Sequence, residues 1–122
     1  MTADGHRIRP QDLLHVTAHP ADGAVVLAVA GEIDLLSASV LGDEVTAALA
    51  DAPELLVIDL SDVSFLASIG ITVLLEARRE AGAGTQVRVV APENGVVNRT
   101  LQLTGLHEAL AVATTLADAL VR

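Results

Sequence analysis

At 122 residues the chain suits one compact domain, since about 100–150 residues already bury a real core, and a second domain would not fit. Just over half of it is apolar, yet it has a single Phe and neither Trp nor Tyr, so Leu, Val, Ile and Ala must build the core and no aromatic platform is left for a ligand. A net charge of −9 repels nucleic-acid phosphates, and with no Cys disulfides and thiolate chemistry are excluded.

Residues 1–11 mix Asp4, Arg7, Arg9 and Pro10 without the apolar block of a secretory signal. They read as a flexible tail ahead of one domain over residues 12–122. Apolar runs such as Ala24–Ala30 fall short of the roughly 18 residues that span a bilayer, so no membrane insertion is expected and the chain reads as cytoplasmic. All seven basic residues are Arg, which with abundant Ala suggests a GC-rich bacterial genome.

Leu13–Thr17 and Ala24–Ala30, separated by His19, Pro20, Asp22 and Gly23, predict a strand, turn and strand. After Gly31-Glu32-Ile33-Asp34, Val40, Leu41, Val45 and Leu49 recur at helical spacing over Ser37–Ala50, with Ser37 as N-cap. Leu55–Leu60 is apolar apart from Asp59, the pattern of a central strand covered on both faces. A polar bend is predicted at Ser61–Ser64, then a helix from Ser68 that stops at Gly82 and Gly84.

Gln86–Ala91 reads as a strand, Pro92 as the first residue of a helix ending near Thr104, Ala109–Ala113 as a short apolar stretch and Thr115 as the start of a last helix. Strands alternating with helices define an α/β domain: a mixed central sheet of four to five strands flanked by about four helices.

With Ser68 as cap, Gly70, Val73, Leu74, Ala77 and Ala81 form an apolar stripe facing the sheet. Ser68, Thr72, Glu76 and Arg79 then line the opposite face, and Ile69 and Leu75 flank it, exposed. Exposed apolar groups around a hydroxyl at a helix start suit a protein docking site. On the residues alone, a plain cap with Leu75 at the core's edge is the commoner arrangement.

Three segments tip this balance. Asp59-Leu60-Ser61-Asp62-Val63-Ser64-Phe65-Leu66-Ala67-Ser68-Ile69-Gly70 resembles the signature of STAS-domain anti-sigma factor antagonists, where Asp-Leu-Ser leads to Phe-Leu/Met-Asp-Ser-Ser/Thr-Gly-Leu. Gly31-Glu32-Ile33-Asp34 is similar to that family's Gly-Glu-Leu/Ile-Asp, and Leu103-Thr104-Gly105-Leu106 to its Leu/Met-Ser/Thr-Gly-Leu. They come in the family's order and spacing and cover nearly the whole chain from about residue 12.

The resemblance implies a regulator and not an enzyme. The unmodified chain would bind an anti-sigma factor that is also a serine kinase and so free a sigma factor; phosphorylation of Ser68 would end the binding, and a phosphatase would reverse it. It further implies a partner surface of Asp34, Ser64, Phe65, Ile69, Thr72, Leu75 and Glu76. Asp34 reads equally well as a turn residue capping the loop after it. The sequence departs from the family at Ala67, which forgoes a carboxylate, and at Ile69, which replaces a hydroxyl by apolar surface.

Gly82-Ala83-Gly84-Thr85 lacks the lysine of a phosphate-binding loop and reads as a helix stop. His6, His15, His19 and His107 lack paired ligand spacing and are expected at the surface, so neither metal nor cofactor is expected. Ser68 sits in no Gly-x-Ser-x-Gly elbow, which weakens a hydrolase reading. The alternative from another class is a constitutive STAS scaffold in a signalling assembly, or the soluble subunit of a lipid or anion transporter.

Overall fold

The computed structural model describes residues 9–121. The tail expected over residues 1–11 lies outside the described residues through residue 8, and Pro10–Leu13 form a helical turn, α1. There Asp12 accepts hydrogen bonds from Arg9, which hold its carboxyl below the ordinary carboxylate value.

Five strands follow, β1 (Leu14–Ala21), β2 (Ala24–Ile33), β3 (Leu55–Leu66), β4 (Gln86–Val90) and β5 (Val112–Ala113), and they lie side by side in chain order. β1 and β2 are antiparallel and the remaining neighbours parallel. The hairpin is tighter than the sequence suggests. β1 runs through Pro20, tolerated because this is an edge strand, and Asp22 and Gly23, at φ 43° and 82°, make a two-residue turn whose twist matches the strands.

Each parallel step is bridged by a helix: α2 (Ala38–Ala50), α3 (Ser68–Ala81) and α4 (Val96–Leu103). Right-handed crossovers that all step the same way put their helices on one face of the sheet. Accordingly Leu41, Val45, Leu74, Ala77, Val97 and Leu101 share a core with Leu27, Leu56, Ile58 and Leu60. The short α5 (Leu116–Ala119) covers the other face, where Ala119 meets Ala24, Val26, Leu55 and Val57. The both-faces reading of Leu55–Leu60 thus holds. None of the described helices is long and apolar enough to cross a membrane.

Three local expectations are corrected. Ser61–Ser64 is not a bend: β3 continues to Leu66, with register shifts against β2 at Ala28/Ala30 and Gly31/Glu32. Each shift gives β3 an extra residue, so the side chains it buries toward the helices, spaced by two at Leu56, Ile58 and Leu60, go to a spacing of three at Leu60, Val63 and Leu66. Pro92 does not start a helix; it accepts a turn hydrogen bond from the Gly95 N–H, and α4 begins at Val96. His107 is half-buried with Nε2 enclosed, because the Leu106–Val112 segment folds back on Leu101.

Candidate functional site

The parallel strands β2, β3 and β4 end at the same edge of the sheet, the edge where open α/β sheets bind their ligands. Three connections meet there: Asp34–Ser37, Ala67 leading into α3, and Ala91–Gly95.

The Asp34 connection is built by its own side chains. Asp34 Oδ1 accepts from the backbone N–H of Leu36 at 2.9 Å and of Ser37 at 3.1 Å. Ser37 Oγ accepts in return from the Asp34 N–H at 2.9 Å and donates to the Glu32 carbonyl. Asp34 therefore begins the helical turn, as the Ala38 N–H to Asp34 carbonyl bond of 2.9 Å confirms. Ser37 holds the N-cap position of α2 as expected, but its fully buried side chain brackets this turn and makes no capping bond to the helix. The exchange satisfies the backbone groups that a helix start leaves without partners, and it turns Leu35 and Leu36 outward, 81% and 55% exposed.

At the end of β3, the Ala67 N–H donates to the Ile33 carbonyl at 2.9 Å, which ties the start of α3 to the end of β2. Ala67, not Ser68, occupies the N-cap position, with extended backbone and no side-chain cap. Ser68 is the first helical residue. Its side chain is exposed and its hydroxyl has no hydrogen-bond partner among the described residues, so it does not serve as the cap the sequence suggested. A carboxylate at Ala67 could accept from the uncapped N–H groups of the first turn. Ala67→Asp is expected to stabilise the fold by about 1 kcal/mol and raise the melting temperature by a few degrees in a circular-dichroism melt.

The structure brings most of the expected partner residues to this edge or onto the exposed line of α3. Ser64 is exposed and donates to the Gly31 carbonyl at 3.3 Å. Phe65 is 48% exposed, its outward position set by the extra residues in β3. Thr72 and Glu76 are exposed, and Thr72 Oγ1 donates to the Ser68 carbonyl at 3.3 Å. Ile69 and Leu75, expected to be exposed, are half-buried and pack on the core. They lie on opposite flanks of α3, where α2 and the β4 side each cover part of them. Gly70, Leu74 and Ala77 are buried as predicted, with Val73 and Ala81 at the margin.

Sequence reasoning missed Leu35, Leu36 and Val96, all exposed at this edge. The signal available for the first two was an apolar pair between an acidic strand end and a helix start.

A mixed sheet in chain order with three helices on one face, and a free serine hydroxyl opening the helix after the third strand, define the class. Residues 15–119 match the STAS domain, and the chain belongs to that family, among its anti-sigma factor antagonists. It is 38% identical over 109 residues to the anti-sigma-F factor antagonist RsfB of Mycobacterium tuberculosis, covering 89% of this chain and 88% of that one. With RsfA of the same organism the identity is 34% over 110 residues, at 88% and 85% coverage. A crystal structure of an anti-sigma factor antagonist from Mycobacterium paratuberculosis is similar, with a TM-score of 0.82, 37% identity and coverage of 93% of this chain and 96% of that one.

Proposed function

We propose that this chain binds an anti-sigma factor through the edge that carries Ser68, so that a sigma factor is freed, and that phosphorylation of Ser68 ends the binding. The observation that carries the reading is the Ser68 hydroxyl: exposed, without a hydrogen-bond partner among the described residues and at the start of α3, beside exposed Leu35, Leu36 and Phe65. Apolar groups so presented gain by burial against a partner, and the hydroxyl is accessible to a kinase.

In the modification step, Ser68 Oγ forms a bond to the γ-phosphorus of ATP while the bond to the bridging oxygen of ADP breaks. The hydroxyl proton passes to a base of the kinase. The anti-sigma factor is that kinase in this reading, and a serine phosphatase returns the hydroxyl by hydrolysis. The chain itself binds and does not catalyse, and it acts in the cytoplasm, where sigma factors meet RNA polymerase. Asp34, Ser64, Phe65, Ile69, Thr72, Leu75 and Glu76 contribute to the contact around Ser68, with Asp34 acting chiefly through the turn it builds.

The test is the intact mass of the chain after incubation with ATP, Mg²⁺ and its candidate anti-sigma kinase. A single added phosphate on the natural chain and none on Ser68→Ala is expected. Stable binding with no phosphate on either would overturn the switch and favour the constitutive scaffold.

A further inference from the structure

We infer that the groove between α2 and α3 is a second docking subsite for the anti-sigma factor, one that takes a Lys or Arg side chain, and that Gly42 is glycine to keep it open. The inference rests on the function proposed above and extends it away from Ser68.

Gly42 stands in the interior of the thirteen-residue helix α2, where glycine costs about 1 kcal/mol relative to alanine. Such a residue normally has a packing reason: a neighbour that leaves no room for a side chain. Here there is none, for a Cβ built on Gly42 meets nothing within 4 Å. It points instead into a groove of about 430 Å³, whose floor includes Gly42 and Val73. Alanine or leucine there would improve the helix, and leucine would occupy part of the groove. The fold therefore gives no account of this glycine, whereas an occupant of the groove does.

The walls indicate the occupant's chemistry. Asp43 from α2 and Glu76 and Glu80 from α3 line the groove, with Arg79 as the single cation. All four side chains are exposed, and among the described residues no ion pair joins Arg79 to any of the three carboxylates. Three carboxylates against one guanidinium, none engaged with another, leave a net negative groove over a floor that is partly apolar. A cation on an aliphatic stem complements both features.

The position of the groove identifies the partner. α2 and α3 both start at the edge that carries Ser68 and run side by side from it. At about 100° per residue, Ile69, Val73, Glu76 and Glu80 share the flank of α3 that faces α2. The groove is thus the continuation of the Ser68 surface along the helices, so a protein seated on Ser68 extends into it.

The test is calorimetric titration of the chain with its anti-sigma factor at low and at physiological salt, with melting curves of each variant. Gly42→Leu is expected to melt at or above the temperature of the natural chain and to bind about tenfold more weakly or worse, a loss of ~1.4 kcal/mol. The pair Asp43→Asn and Glu80→Gln, both exposed and outside the contact assigned to Ser68, is expected to weaken binding several-fold and to flatten its salt dependence. This pair carries the test should Gly42→Leu fail to fold.

Natural affinity in Gly42→Leu, or an unchanged salt dependence in the Asp43→Asn, Glu80→Gln pair, overturns the groove and leaves the Ser68 function standing. No binding by the natural chain overturns both. Self-association of the chain in sedimentation, abolished by Gly42→Leu, also overturns the inference, because the occupant would then be a second copy.

Discussion

Phosphorylated on Ser68, the chain is expected to bind its anti-sigma factor about two to three orders of magnitude more weakly than the unmodified chain, with no loss of melting temperature. The phosphate brings about −1.5 to −2 charges to an edge that already carries Glu32 and Asp34 and has no basic residue from Gly31 to Ala77 or from Ala91 to Asn98. Its nearest compensation is the start of α3, where aligned peptide dipoles favour an anion by about 0.3–1 kcal/mol. That term acts in the free chain and keeps the fold intact. In a complex the same group loses water, and an uncompensated buried charge costs about 3–5 kcal/mol, which at ~1.4 kcal/mol per decade gives the expected loss.

Titration calorimetry on the phosphorylated and unmodified chains, with Ser68→Ala as the uncharged control, measures it. Ser68→Ala should bind like the unmodified chain, since the hydroxyl has no partner to lose. Equal affinity of phosphorylated and unmodified chains would sink the switch, and a weakened Ser68→Ala would shift the role of the residue from charge to direct contact.

The layered fold was legible because its signals are periodic. The run Leu55–Leu60 declares a strand buried on both faces, and the stripe Gly70, Leu74 and Ala77 declares which side of α3 meets the sheet. Ser68 was legible through motif resemblance, but its role as cap was misread: the cap position follows from where the backbone turns from extended to helical, here at Ala67, and a serine one residue later carries the same composition signal. The strand over Ser61–Leu66 was hidden for a related reason. Two extra residues break the alternation on which strand detection depends, so Leu60, Val63 and Leu66 show a spacing of three that belongs to no regular element. Asp34 could be read as a turn residue and Ser37 as a helix cap, but their exchange of hydrogen bonds depends on a backbone path that spacing does not reveal. Ile69 and Leu75 were misplaced because a single-helix projection cannot see neighbouring elements covering its flanks.

Gly31→Ala is expected to be the most damaging single-methyl change in the chain, costing more than about 4 kcal/mol, the range reached only when a special backbone position is violated. Gly31 pairs with Leu14 between β2 and the edge strand β1 and has φ 119°, a conformation that L side chains rarely adopt. A Cβ there would overlap the Leu13 carbonyl oxygen and lie 3.3 Å from the Leu14 Cα. These are backbone atoms, so no side-chain rotation relieves the clash and β1 must move. Against a typical total of about 5–15 kcal/mol, such a loss removes much of the stability; at roughly 4 °C per kcal/mol for a domain of this size the melting temperature should fall by about 15 °C or more.

Gly70→Ala provides the comparison. Its Cβ would come within 2.6 Å of Ile33 Cγ2 and Leu66 Cδ1, but both are side-chain ends that can shift, so a loss of about 1–3 kcal/mol is expected, the usual cost of overpacking. Denaturant melts of the two variants decide the matter. A Gly31→Ala chain as stable as Gly70→Ala would show that β1 can yield. In that case the glycine preceding Glu32-Ile33-Asp34 would owe its place to the partner surface and not to the strand pairing that positions Asp34.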